Sequence, residues 1–207
     1  MAFRRASFAG GLIIMLALSI LSASAGNPLP TSAEVGKPAP VFSLKDIAGK
    51  TLQLQDFKGK VVVLEWTNPN CPYVQRVYRD GIMPAVQKAA VEKGVVWLTI
   101  NSTNTGHNDY ETPEALKETY ASWKAGFSSF LLDSDGKVGK QFDAKTTPHM
   151  YIIDKEGKLV YNGAIDDDPR GGKDQKENYV KAALDALMAG KAVAKSATQP
   201  YGCSVKY

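Results

Sequence analysis

The sequence predicts an α/β domain: a central mixed β-sheet flanked by helices, with a β extension at its N-terminal end. Three observations carry this. Two apolar runs, VVVLEW at 61–66 and VVWLTIN at 95–101, read as strands covered on both faces. Between them Val74, Tyr78, Ile82, Val86 and Ala90 recur every four residues, the spacing of a helix with one buried stripe. The full order is strand, helix, strand, helix, strand, then a hairpin and a closing helix. That order belongs to a parallel sheet extended by an antiparallel hairpin.

The chain of 207 residues begins with a segment that reads as a secretory signal over residues 1–25. Arg4 and Arg5 form its basic end, Gly11 to Leu21 its apolar stretch, and Ala23-Ser24-Ala25 its cleavage site. No later segment approaches the roughly 20 apolar residues of a transmembrane helix. The expectation is an exported protein, periplasmic or secreted, with no transmembrane anchor once the signal is removed. About 180 residues then remain, the size of one domain. Their 23 basic and 21 acidic residues leave a bias too weak to point to nucleic acid.

Residues 26–34 are rich in Pro, Ser and Gly and read as a linker before a domain expected over 35–190. Short β segments are expected at Phe42 to Leu44 and Thr51 to Leu54, around a turn at Ala48-Gly49-Lys50. VVVLEW should be central. Gly81 and Pro84 should bend the helix after it, and Thr112-Pro113 starts another, with Leu116, Tyr120 and Trp123 on one face. SFLL at 129–132 is a strand, Val138 to Phe142 a short helical piece, and MYIID with KLVYNG a hairpin across Lys155-Glu156-Gly157. The last helix is expected over Asp174 to Ala189, ended by Gly190. Beyond it, residues 191–207 form a tail that carries Cys203 and whose path the sequence does not specify.

Chemistry centres on Cys71, in NPNCPYV, between an apolar strand and a helix. A thiol reacts as thiolate, and a helix N-terminus favours an anion through its unpaired N–H groups and aligned dipoles. Pro72 suits the first helical position, and Arg76 and Arg79 could add positive potential. The alternative is an inert, buried cysteine. Val74 stands where a CxxC motif would carry its second thiol, so Cys203 is the chain's other cysteine. It could resolve a disulfide on Cys71, form a static staple closing about 130 residues worth roughly 4–5 kcal/mol, or bond a second subunit. Thr147-Pro148 is either a cis turn presenting backbone groups beside the thiol or an ordinary trans entry into an edge strand.

GKPAPVFSLKD, GKVVVLEW, NPNCPYV, TTPHMYIID and the glycine of KEGKLVYNG, in this order and spacing, resemble the landmarks of thioredoxin-fold redoxins over about residues 35–190. The likeness is closest to the alkyl hydroperoxide reductase / thiol-specific antioxidant, peroxiredoxin-like, group. It implies a thioredoxin-like fold, with Cys71 as attacking thiol, Pro148 as the cis proline facing it, and Thr147, Asn68 and Pro72 at substrate-binding positions. Glu65, six residues before Cys71, matches the buried acid of thioredoxins. It is either a proton acceptor with a raised pKa or a salt-bridged structural acid. Two departures stand out: CPYV replaces CxxC, and Asn68 stands where peroxiredoxins carry the hydroxyl that orients peroxide.

Three functions follow from these residues. The first is an exported thiol-disulfide oxidoreductase in which Cys203 resolves the mixed disulfide on Cys71, with a substrate disulfide and an external thiol reductant as partners. The second is an atypical thiol peroxidase acting on hydroperoxides, and the third a copper carrier using Cys71, Cys203 and His149. The first two need no cofactor or metal. His107 is expected exposed on the rim that carries Cys71. Asp166, Asp167, Asp168 and Arg170 read as a solvated charged loop.

Overall fold

The computed structural model describes residues 1–3 and 31–207. Most of the expected signal segment 1–25 and the first part of the 26–34 linker thus lie outside the described residues. Among the described residues, backbone contact with the domain begins at Ala33, whose N–H donates to the Gln141 carbonyl at 3.1 Å.

The N-terminal extension is a hairpin of β1 (Ser43–Asp46) and β2 (Thr51–Gln53). Asp46 Oδ1 accepts from the Ala48 and Lys50 N–H groups and so builds the turn. β1 starts one residue later than expected, and Phe42 turns into the core instead. Leu54 likewise leaves the strand for a short 3-10 turn over Leu54–Phe57, where it is buried.

The apolar runs form β3 (Val62–Trp66) and β4 (Val96–Asn101), parallel to each other, with β5 (Ser129–Leu132) parallel to β4. β7 (His149–Ile153) runs antiparallel to β3, and β8 (Leu159–Gly163) antiparallel to β7. The sheet order is β2-β1-β5-β4-β3-β7-β8, which makes β3 central as expected. Every residue of β3 is buried, the reason its sequence lacks polar alternation.

The two faces bury different sets. Val62, Leu64, Trp66, Leu98, Ile100 and Tyr151 point to one core with Phe42 and Phe142. Val63, Trp97, Met150 and Ile152 point to the other, under the helices. There α1 (Pro72–Arg79) and α2 (Ile82–Glu92) are separated by Gly81, whose φ of 73° only glycine adopts readily; the expected bend is a break. α3 (Pro113–Ser122) is capped by Thr112 Oγ1, and α4 (Lys137–Gln141) is the short piece after β5.

The last helix, α5 (Tyr179–Met188), begins five residues later than expected. Asp167 Oδ1 accepts the Glu177 N–H and Asn178 bridges to Asp166, which keeps Glu177 and Asn178 out of the helix. The tail is part of the domain. Thr198 pairs with the Asn162 backbone, β9 (Cys203–Ser204) pairs antiparallel with β6 (Thr146–Thr147), and the Tyr207 hydroxyl donates to the Ala144 carbonyl at 2.8 Å. The result is a thioredoxin-like α/β fold, with a mixed sheet between helices and a two-stranded ribbon over the end that carries Cys71.

Candidate functional site

Cys71 is the N-cap of α1, in extended backbone conformation, with Pro72 at the first helical turn. That position puts the sulfur at the open N–H groups of the helix. The thiol is 1% exposed and contacts the Thr147 carbonyl at 2.9 Å, and the Thr147–Pro148 peptide is cis. β6 supplies this carbonyl next to its pairing with β9, where Thr147 stands opposite Cys203. Both cysteines are free thiols, and the Cys203 thiol is turned towards the Cys71 sulfur. Folding thus brings together two residues 132 positions apart in sequence.

Their environments separate their chemistry. Burial pushes the Cys71 thiol up, but the polar groups around it, the Cys203 thiol first among them, leave it below its ordinary value. Burial also pushes the Cys203 thiol up, and facing Cys71 adds to this, to about 12. The two sulfurs are thereby set apart, Cys71 below its ordinary value and Cys203 above it. Arg76 contributes differently from the expectation: its Nη2 donates to the Asp168 carbonyl at 2.7 Å and to the Tyr201 hydroxyl at 3.3 Å, so it clamps a loop and the tail rather than the thiol.

The Asp166–Asp168 loop is also not the solvated segment expected. Asp166 is 1% exposed and accepts a 2.5 Å hydrogen bond from Tyr201, and Asp168 is buried and pairs with Lys176. Tyr201 was not singled out by sequence reasoning, and Asp166 was read only as part of a solvated loop, because a tail without periodicity gives no sign of where it docks. The one available signal was the density of glycines opposite it. A β-carbon at Gly163 would overlap Thr198, and one at Gly136 or Gly139 would overlap the Tyr207 ring.

Glu65 lies beneath the site with both oxygens occupied. Oε1 accepts from the Tyr78 hydroxyl at 2.8 Å; Oε2 accepts from Trp97 Nε1 at 2.8 Å, Gln87 Nε2 at 2.9 Å and Thr99 Oγ1 at 3.2 Å. Burial pushes its carboxyl up against the lowering effect of these four donors. Among the described residues it forms neither a salt bridge nor a hydrogen bond to Cys71.

Asn68 is buried, donates towards Thr103 and Asp109, both at 3.4 Å, and accepts the Asn70 N–H at 2.8 Å, so its amide shapes the loop before Cys71. Thr147 adds a buried hydroxyl with no conventional partner at the sulfur's side. His107 is exposed on the neighbouring loop, where Nδ1 accepts the Asp109 N–H. His149 is buried and points elsewhere: its Nε2 meets Asn162 Oδ1 at 2.7 Å and its Nδ1 accepts the Lys145 N–H at 3.2 Å. With both ring nitrogens engaged it is not free to join the cysteines. Among the described residues no three His, Cys, Asp or Glu side chains gather as metal ligands, so the Cys71, Cys203 and His149 set does not assemble.

The chain is similar to known proteins of the same fold. The chain is 29% identical to the thiol-disulfide oxidoreductase ResA of Bacillus cereus over 184 residues, covering 82% of this chain and 94% of that one. It is 28% identical to the chloroplastic peroxiredoxin Q of Populus jackii, covering 81% and 74%. A solved structure of an uncharacterised conserved protein from Geobacillus kaustophilus superposes with a TM-score of 0.75 at 32% identity, covering 84% of this chain and 92% of that one. The profile of the AhpC/TSA family matches residues 35–162. With the cis proline opposite the helix-capping cysteine, the chain belongs to the AhpC/TSA family of thioredoxin-fold redoxins.

Proposed function

We propose that the protein is a thiol-disulfide oxidoreductase in which Cys71 is the nucleophile and Cys203 the resolving thiol. The observation that carries this is the pairing of Cys203 opposite Thr147, which turns a low-pKa and a high-pKa sulfur towards each other. The Cys71 thiolate attacks a substrate disulfide, forming a mixed disulfide and expelling the first substrate thiolate. Cys203 then attacks the Cys71 sulfur and its proton passes to the leaving substrate thiolate. The products are a reduced substrate and a Cys71–Cys203 disulfide, which an external dithiol reduces. The named relative ResA is a thiol-disulfide oxidoreductase, which supports this reading.

Hydroperoxide reduction is the second reading, favoured by the likeness to peroxiredoxin Q. It is weaker, because Asn68 supplies no hydroxyl and its amide is committed to the loop. Glu65 acts in our reading as a positioning group, holding Tyr78 and Trp97 under the site. We also propose export, on the basic-apolar-small pattern of residues 1–25. Among the described residues no helix is long and apolar enough to cross a membrane.

The test is a Cys203→Ser chain offered a disulfide substrate. A mixed disulfide should accumulate on Cys71 and resolve only when external thiol is added. Absence of any adduct on Cys71, or hydrogen peroxide consumption far above that of free cysteine, would sink the exchange reading. Export is checked by N-terminal sequencing of the mature protein, expected to begin at Gly26.

A further inference from the structure

The β6–β9 ribbon places a segment of the chain's own tail on the backbone edge beside Cys71. Thr147, next to the cis proline, stands opposite Cys203, and Thr146 stands opposite Ser204. An extended chain approaching Cys71 needs this same edge, because strand pairing is what aligns a sulfur with the thiolate. The tail fills it with a residue pattern rather than with arbitrary contacts. Gly202 has a φ of 137°, and a β-carbon there would overlap the Thr147 carbonyl. The position before the reacting sulfur therefore accepts only glycine.

Tyr201, two residues before the sulfur, fills a formed subsite. Its ring lies 5.9 Å from that of Tyr73, and its hydroxyl donates to Asp166 Oδ1 at 2.5 Å while accepting from Arg76 Nη2 at 3.3 Å. Asp166 is buried and its Oδ2 has no partner, so phenylalanine in place of tyrosine would leave the carboxylate with the Asp168 N–H at 3.0 Å as its one remaining donor. After the sulfur, the Val205 N–H donates to the Lys145 carbonyl at 3.2 Å and continues the backbone register. The paired stretch is only two residues on each strand, short enough for another chain to displace.

Building on the thiol-exchange reading, we propose that the tail is an internal copy of the substrate. The cleft beside Cys71 takes an extended polypeptide in which a tyrosine and a glycine immediately precede the reacting cysteine, and such a chain enters by displacing residues 201–205. The tail then acts both as resolving arm and as selectivity filter: chains without this pattern do not displace it.

The test uses the full chain carrying Gly202→Ala and Cys203→Ser, which unseats the tail and leaves Cys71 as its thiol. The probe is the peptide PYGCSVK with its cysteine as a mixed disulfide with 5-thio-2-nitrobenzoate. The Cys71 thiolate attacks the peptide sulfur, a Cys71–peptide disulfide forms, and the coloured thiolate leaves with the bonding electron pair. The parent peptide should react at least about tenfold faster than PAGCSVK or PYACSVK. With the tail seated, in the Cys203→Ser chain, all three should slow while keeping that ranking, a control that retains every glycine of the fold. Equal rates for the three peptides would overturn the template while leaving Cys71 as nucleophile. No reaction with any peptide or with 5,5′-dithiobis(2-nitrobenzoate) would overturn the exchange reading as well.

Discussion

Removing the Glu65 carboxyl should destabilise the protein more than neutralising it. In Glu65→Ala the Tyr78 hydroxyl, Trp97 Nε1 and Thr99 Oγ1 lose their buried acceptor, whereas Gln87 Nε2 retains the Tyr78 oxygen at 2.9 Å. Trp97 and Thr99 are then fully orphaned while the Tyr78 oxygen still accepts from Gln87, and two orphaned donors at about 1–3 kcal/mol each put the loss near 4 kcal/mol before any cavity is counted. That is a large part of the 5–15 kcal/mol that typically holds a domain together. Glu65→Gln keeps an acceptor for three of the four donors: its carbonyl takes Trp97, Gln87 and Thr99, and only the Tyr78 hydroxyl loses its acceptor. Its cost should stay at about 1–3 kcal/mol, below that of alanine.

The same pair of variants reads the charge. Burial holds the Glu65 carboxyl above its ordinary 4.5, so the folded chain keeps a proton that the unfolded chain releases. Stability from this group is complete below pH 4.5 and declines as pH rises through the raised value. Glutamine mimics the protonated acid and removes that decline. Urea titrations followed by tryptophan fluorescence across pH 4–8 measure both effects. An alanine variant losing less than about 1 kcal/mol, or a glutamine variant losing as much as alanine, would refute the hydrogen-bond reasoning.

Other predictions follow from single contacts. His149 is held near a pKa of about 4 by burial against an ordinary 6.5. Its unfolded form therefore takes up a proton first as pH falls, and the protein should lose on the order of 3 kcal/mol between pH 6.5 and 4 that a His149→Gln variant does not lose. Gly163→Ala forces a β-carbon into Thr198; it should free the tail, seen as proteolytic removal of residues after 190 at protease levels that spare the native chain. Cys203, with a pKa pushed to about 12 against 9.0, should react with iodoacetamide at pH 7 some hundredfold to thousandfold more slowly than a free cysteine. A rate close to that of free cysteine would contradict the assigned environment.

The sheet was legible because its strands are buried on both faces. Uninterrupted apolar runs at 61–66 and 95–101 leave few other folds, and Thr112-Pro113 and Gly81 mark helix ends by backbone chemistry that acts locally. Cys71 was legible for the same reason, as a thiol between a strand and a Pro-started helix. The errors fall where one segment's structure depends on a distant one. Asp174 to Asn178 carry helix-compatible residues yet stay outside the helix, with Glu177 and Asn178 held by Asp167 and Asp166. Arg76 sits on a helix next to the thiol, and its direction is decided by carbonyls near residue 168 and by Tyr201. The tail has no period of 2 or 3.6 to read. Its place is written instead in the glycines it covers, at 136, 139 and 163.

Disulfide exchange as proposed requires Cys71 and Cys203 to act as one redox pair. Treating the mature protein with one equivalent of a small disulfide, trapping with acid and alkylating, then mapping both cysteines by mass spectrometry examines that pair directly. The prediction is an intramolecular Cys71–Cys203 disulfide in a monomer-sized chain, lost on reduction. Two alkylated thiols, or Cys203 bonded only to a second chain, would contradict it.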